Sequence, residues 1–195
     1  MGKIFCLLGK SAVGKDTIFK KIMEEDLNLK TIIPYTTRPK RSGETNGVEY
    51  YFTDEAGLAK LEDEGRVIEK RVYNTVMGPW AFFTVDDGRI DLENNDYIMI
   101  ATPKAVIDLI KYFGKEVIVP IYIYLPDGVL LERALTRENS QKTPNYAEMC
   151  RRYLADLEDY TEDILKAAGI ERHFENKSAD NTVKEIKAYI AEVRE

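Results

Sequence analysis

Seven residues near the start, Gly9-Lys10-Ser11-Ala12-Val13-Gly14-Lys15, constrain this chain more than any other stretch. The apolar run Ile4-Phe5-Cys6-Leu7-Leu8 precedes them and a segment of helical period over Lys15–Met23 follows, so the glycines sit at a strand-to-helix turn. Glycines there let backbone N–H groups wrap around phosphate oxygens. The helix N-terminus adds partial positive charge, and Lys15 adds a point charge suited to β- and γ-phosphates. An ordinary glycine-rich turn is the other reading; the position between strand and helix favours phosphate. Gly9, Lys10, Ser11, Ala12, Val13, Gly14, Lys15, Asp16 and Thr17 are accordingly the donor-phosphate candidates. Asp16 stands where a hydroxyl usually follows the lysine and contacts Mg²⁺. A metal is therefore expected to be held mainly by water and phosphate, or approached by Asp16 through water, and no protein ligand is assigned to it.

The loop opens an alternating pattern. Strands are expected at Lys3–Leu8, Thr31–Ile33, Tyr97–Ala101, Val117–Tyr124 and His173–Glu175. Helices are expected at Lys15–Met23, Lys104–Tyr112, Gly128–Leu135, Tyr146–Ala167 and Thr182–Val193. Such alternation predicts a parallel sheet covered by helices on both faces. Residues 35–84, rich in Tyr, Thr, Arg and Gly with a short acidic helix over Asp54–Glu64, read as an insert on the rim of the sheet. Residues 138–145 are polar, interrupt two helices and read as a mobile flap. One domain over 1–195 is expected, with its core in 1–34, 85–137 and 146–195, because 195 residues at 44% hydrophobic close one core and not two.

Composition narrows the partners. No apolar run reaches the ~18–20 residues that a membrane span needs. A net charge of −6 opposes nonspecific binding to nucleic acid, so recognition of phosphate must come from a local basic cluster. Cys6 and Cys150 lie far apart and make neither a metal spacing nor a disulfide framework. They read as inert thiols in a reducing, cytoplasmic setting, consistent with an opening segment that lacks the pattern of a secretory leader. His173, the single histidine, has no nucleophile beside it and is given no catalytic role.

The basic cluster is the stretch Thr36-Thr37-Arg38-Pro39-Lys40-Arg41-Ser42-Gly43-Glu44-Thr45-Asn46-Gly47-Val48-Glu49-Tyr50-Tyr51-Phe52. Arg38 and Arg41 can fork onto one phosphate and the Tyr50 hydroxyl can add a bond; a solvated basic hairpin is the equal alternative on composition alone. The stretch closely resembles the signature of the guanylate kinase family, which runs Thr-Thr-Arg, a basic residue, an acid, a glycine and two aromatics, met here by Arg41, Glu44, Gly47, Tyr50 and Phe52. The glycine loop precedes it and the later landmarks follow in order, so the resemblance spans nearly the whole chain. It implies an α/β fold of the P-loop kind, a three-layer α/β/α core around a parallel sheet, with an inserted subdomain for the nucleoside monophosphate (35–84) and a short lid (138–145).

The resemblance also implies transfer of the γ-phosphate of ATP to GMP, with Mg²⁺ accompanying ATP. By the same resemblance Thr36, Arg38, Arg41 and Tyr50 belong to the acceptor site, and Glu69 accepts hydrogen bonds from the guanine edge. Arg133, Arg137 and Arg152 resemble arginines that close on the transferring phosphates together with Lys15, and Asn176 resembles a residue beside the donor adenine. The spacing of Arg133 and Arg137 also suits surface pairs with Glu132 and Glu138. Departures cluster around the base. Pro34 stands where the family commonly has serine, Ile100 and Thr102 stand where it has two aspartates, and Met77-Gly78 replaces its Tyr-Gly. Thr102 is left to offer a neutral hydroxyl, and Glu69 is expected to read guanine almost alone. Two other readings follow the same residues: a kinase for a different monophosphate, and a silent family module that binds proteins. Nucleotides are the expected partners, as a monomer or homo-oligomer.

Overall fold

The computed structural model describes residues 1–25, 27–75 and 78–195; Met77, one of the departures above, lies outside the described residues. Five parallel strands form the main sheet, in the order β2 (Leu29–Thr31), β7 (Asp96–Ile100), β1 (Ile4–Leu8), β8 (Ile118–Tyr124), β9 (His173–Glu175). Central β1 is wholly buried, and its side chains divide by alternation. Ile4, Cys6 and Leu8 enter one apolar cluster with Val106 and Leu109 of α3 (Pro103–Phe113). Phe5 and Leu7 enter another with Ile18 and Ile22 of α1 (Lys15–Glu24) and Ile186 and Ile190 of α7 (Ala179–Arg194). A continuous apolar run with two buried faces is what a central parallel strand requires.

A second, mixed sheet has the order β4 (Tyr51–Phe52), β3 (Tyr35–Thr36), β6 (Gly78–Val85), β5 (Val67–Thr75). Its own small core joins Ala81, Phe83 and Val85 to Leu58 of α2 (Glu55–Asp63). The caps are local chemistry: Asp54 accepts from Gly57 N at 2.8 Å to start α2, and Thr102 accepts from Ala105 N at 3.3 Å with Pro103 as first residue of α3.

Three boundaries differ from expectation. The second strand is Leu29–Thr31, two residues earlier than the apolar signal, because Ile32 beyond it turns into the core. The helix expected over Tyr146–Ala167 is two: α5 (Tyr146–Asp159) and α6 (Glu162–Ala167). No glycine or proline marks the break; Tyr160 leaves helical geometry to reach a distant backbone, and Thr161, in extended conformation, starts α6. Helix α4 (Asp127–Asn139) runs into the segment expected as a flap, and buried Glu138 accepts from the Gln141 side chain and the Asn145 backbone.

Candidate active site

The loop between β1 and α1 packs too closely for side chains at its glycines. A Cβ on Gly9 would lie 2.4 Å from the Ile123 carbonyl oxygen, and one on Gly14, at φ 97°, would lie 2.6 Å from Asn176 Nδ2. Ala12 holds a left-handed φ of 63°, local strain of the kind found where backbone is preorganised for a ligand. Asn176 is buried and braces the loop from behind: Nδ2 donates to Val13 O at 2.7 Å and Oδ1 accepts from Thr182 Oγ1 at 3.3 Å.

Lys15 folds over its own loop, donating to Gly9 O at 2.5 Å and Lys10 O at 3.1 Å. Burial pushes its ammonium below the ordinary lysine value, Asp156 and Asp16 work against that shift, and Arg137 adds to it. Arg137 is exposed and without an ion pair among the described residues. Arg133 donates to Asn176 O at 3.1 Å, and among the described residues neither Arg133 nor Arg137 forms the pairs with Glu132 or Glu138 that their spacing permits. Arg152 lies on the exposed side of α5, paired with Glu148 at 2.8 Å. Asp16 and Thr17 are exposed in the first turn of α1.

Two residues of α5 and its end reach the loop without having been singled out in the sequence. Asp156 Oδ2 accepts from Ser11 N at 2.6 Å, and the Tyr160 hydroxyl donates to Gly9 O at 2.8 Å while accepting from Gly9 N at 3.2 Å. Asp127, at the start of α4, pairs with Lys10 at 2.7 Å. A signal for the first two exists: Arg152, Asp156 and Tyr160 recur every four residues, one stripe of a helix.

In the second sheet Arg38 is nearly sealed, at 4% exposure, which decides its role in this arrangement. Its guanidinium forks onto Glu44 at 2.7 and 3.0 Å, donates to Pro39 O, and lies over the rings of Tyr50 and Phe52. The fork expected on a phosphate is here closed on a carboxylate, and Arg38 shapes the loop from within. Glu44 also accepts from Arg41 N at 2.7 Å, which leaves the Arg41 side chain exposed. Thr36 is buried, donating to Ala81 O and accepting from Arg38 N. Burial pushes the Tyr50 phenol up; Arg38 and Arg71 oppose this, and the charge of Asp16 is felt at the same phenol.

Glu69 is buried and already partnered: it accepts from Thr84 Oγ1 at 2.8 Å and from Arg71 Nε and Nη2 at 3.0 and 3.2 Å. Arg71 and Thr84 were not among the expected residues, although Arg71, two positions along a strand, had to share the face of Glu69. The charge of Glu69 adds to the upward push that burial gives the Cys6 thiol. Thr102 stands at the end of β7 with its oxygen committed to the cap of α3. Cys6 is buried with its thiol pushed up by burial, Cys150 is exposed, and neither is bonded to the other.

The chain resembles known proteins over this whole arrangement. The family model described as guanylate kinase matches residues 1–193. A guanylate kinase of Oceanobacillus iheyensis is 39% identical over 72 residues, 37% of this chain and 35% of that protein. One from Zymomonas mobilis is 31% identical over 120 residues, 62% of this chain and 45% of that protein. The aligned stretches thus span less than half the length of these relatives. The solved structure of guanylate kinase from Anaplasma phagocytophilum superposes with a TM-score of 0.68 at 18% identity, over 97% of this chain and 85% of that one, which is a likeness of fold. With the family model covering the glycine loop, the basic stretch and residues 138–145 together, the chain belongs to the guanylate kinase family.

Proposed function

We propose that this protein transfers the γ-phosphoryl group of ATP to GMP. The observation that carries the reading is a glycine loop braced by Asn176 and folded over by Lys15, together with a basic, aromatic loop in which Arg38 is sealed under Tyr50 and Phe52 and Arg41 is left exposed. Phosphoryl transfer needs its substrates in line and cations around the moving charge more than it needs covalent chemistry from protein. Lys15, Arg137 and Arg133 lie around the donor phosphates in this reading, Arg152 turns from Glu148 toward them on closure, and the exposed Arg41 takes the acceptor phosphate, with Arg38 behind it. Tyr50 donates to the same phosphate, Glu69 accepts from guanine, and Thr102 lies at the edge of the base pocket. Asn176 holds the loop in shape behind the adenine.

A Mg²⁺ ion fits this loop by donor chemistry. Asp16 presents an exposed carboxylate beside Lys15, whereas no three acidic, cysteine or histidine side chains converge on a cation site among the described residues. Such an ion would be held mainly by phosphate and water, with Asp16 as the residue of this chain that would approach it through water. Bound with ATP, it would supply neutralisation of the developing phosphate charge. The other steps belong to the chain: Lys15 leaves Gly9 O for phosphate, and residues 35–84 and 138–145 exclude water as they close. No helix of the described residues is long and apolar enough to cross a membrane, and a cytoplasmic place is part of the same proposal. The test is ATP-dependent phosphorylation across GMP, dGMP, AMP, CMP, UMP and dTMP. GMP is expected as the best acceptor by at least about tenfold, since a mismatched buried carboxylate costs about 1–3 kcal/mol; a better pyrimidine or AMP acceptor refutes the assignment.

A further inference from the structure

Glu69 does not face the acceptor as a bare carboxylate. Three hydrogen bonds already converge on it, one from the Thr84 hydroxyl and two from Arg71. A carboxylate has about four acceptor positions, so about one remains for a base. Arg71 uses Nε and Nη2 on Glu69; among the described residues its Nη1 makes no hydrogen bond. The pair is a joint donor and acceptor built from adjacent positions on one face of β5. Phe82, opposite Arg71 in the ladder, touches both Tyr50 and Tyr73, which walls the same face with rings.

Resting on the acceptor reading above, we propose that Arg71 is a specificity-determining residue that donates to the carbonyl at position 6 of guanine while Glu69 accepts from the ring N–H beside it. Guanine carries that acceptor and that donor side by side, and a guanidinium is a well-matched partner for the carbonyl. Adenine reverses both: an exocyclic amine would meet the guanidinium, donor against donor, and an unprotonated ring nitrogen would meet the carboxylate. Pro34 has no side-chain donor and the Thr102 oxygen serves a helix cap, so neither offers a charged donor to the carbonyl. The held geometry also explains how one carboxylate can discriminate in a pocket without further acids. Arg71 keeps Glu69 oriented, and its own positive charge balances the buried negative one.

The test measures kcat/KM for GMP, IMP, AMP and the monophosphate of 2-aminopurine riboside with wild type, R71M and R71K. GMP and IMP keep the carbonyl and the ring N–H; 2-aminopurine keeps the amine and lacks both. In R71M, kcat/KM for GMP and IMP is expected to fall about 10–100-fold, mainly through acceptor KM, while AMP and the 2-aminopurine nucleotide change less than about threefold and the KM for ATP holds. Equal losses on all four acceptors, or no loss on any, overturn the role of Arg71. Should R71M fail to fold, R71K decides by the same ratio: lysine keeps the charge beside Glu69 but not the fork, so the GMP preference over AMP falls at least about threefold, and an unchanged preference overturns the proposal. The wild-type panel separates the two levels, because a wild type that prefers another base refutes the acceptor reading itself. A wild type that prefers GMP with R71M insensitive to the base refutes Arg71 alone.

Discussion

Lys15 shows how a single side chain is held ready by its surroundings. Without phosphate its ammonium satisfies two loop carbonyls, and burial holds its proton less firmly than an ordinary lysine does. Lys15→Ala is expected to lower kcat by about a hundredfold or more, the usual loss when a preorganised charge is removed, with an unchanged circular dichroism spectrum as the control. The direction of the shift also sets a pH limb. The charged form is the useful one and its pKa lies below that of an ordinary lysine, so kcat/KM for ATP, which reports the free enzyme, should fall on the alkaline side at a lower pH than an unperturbed lysine would give. Because Arg137 contributes to that lowering, Arg137→Met should move the limb to higher pH as well as slow the reaction. On the acceptor side, Arg41 is exposed where Arg38 is spent on Glu44. Arg41→Met should therefore raise the KM for GMP about tenfold or more and leave the KM for ATP nearly unchanged. Equal changes in both constants would place Arg41 elsewhere.

Among the elements, α5 couples two regions. Its outer residues pair at the lid end, Arg151 and Arg152 with Glu148, while Asp156 and then Tyr160 bond the phosphate loop. The Asp156 carboxylate lies on a backbone N–H that a phosphate oxygen would also seek, and its charge opposes the donor phosphates. Asp156→Asn is thus expected to tighten ATP severalfold by calorimetry; weaker binding would mean that the carboxylate supports the loop more than it competes. The helical period displays this stripe, but only contact shows which face turns inward. In the same way β5 places Glu69 and Arg71 on one side by alternation, and tertiary packing closes the fork between them.

For the molecule as a whole, the two sheets rest on separate apolar clusters. Fully buried Phe83 anchors the smaller one with Leu58, Ala81 and Val85. Phe83→Ala should cost about 3–5 kcal/mol by denaturant unfolding and weaken GMP binding more than ATP binding. A loss below about 1 kcal/mol would show that the insert repacks around the gap. The parallel core was legible in the chain because it follows from period: the β1 run, the glycine turn and the apolar faces of α1, α3 and α7 are each local patterns. The phosphate loop was legible for the same reason, since its glycines answer a steric demand within a few residues of themselves. Other features depend on residues far apart in sequence. The bond from Ser11 to Asp156 spans 145 positions and that from Asn176 to Val13 spans 163, and no local preference encodes either. The break at Tyr160 is of this kind, for it satisfies Gly9 across 151 positions and carries no helix-stopping residue. Which arginine meets solvent and which is sealed was decided likewise by packing, when Glu44 and two aromatic rings closed on Arg38 and left Arg41 outside.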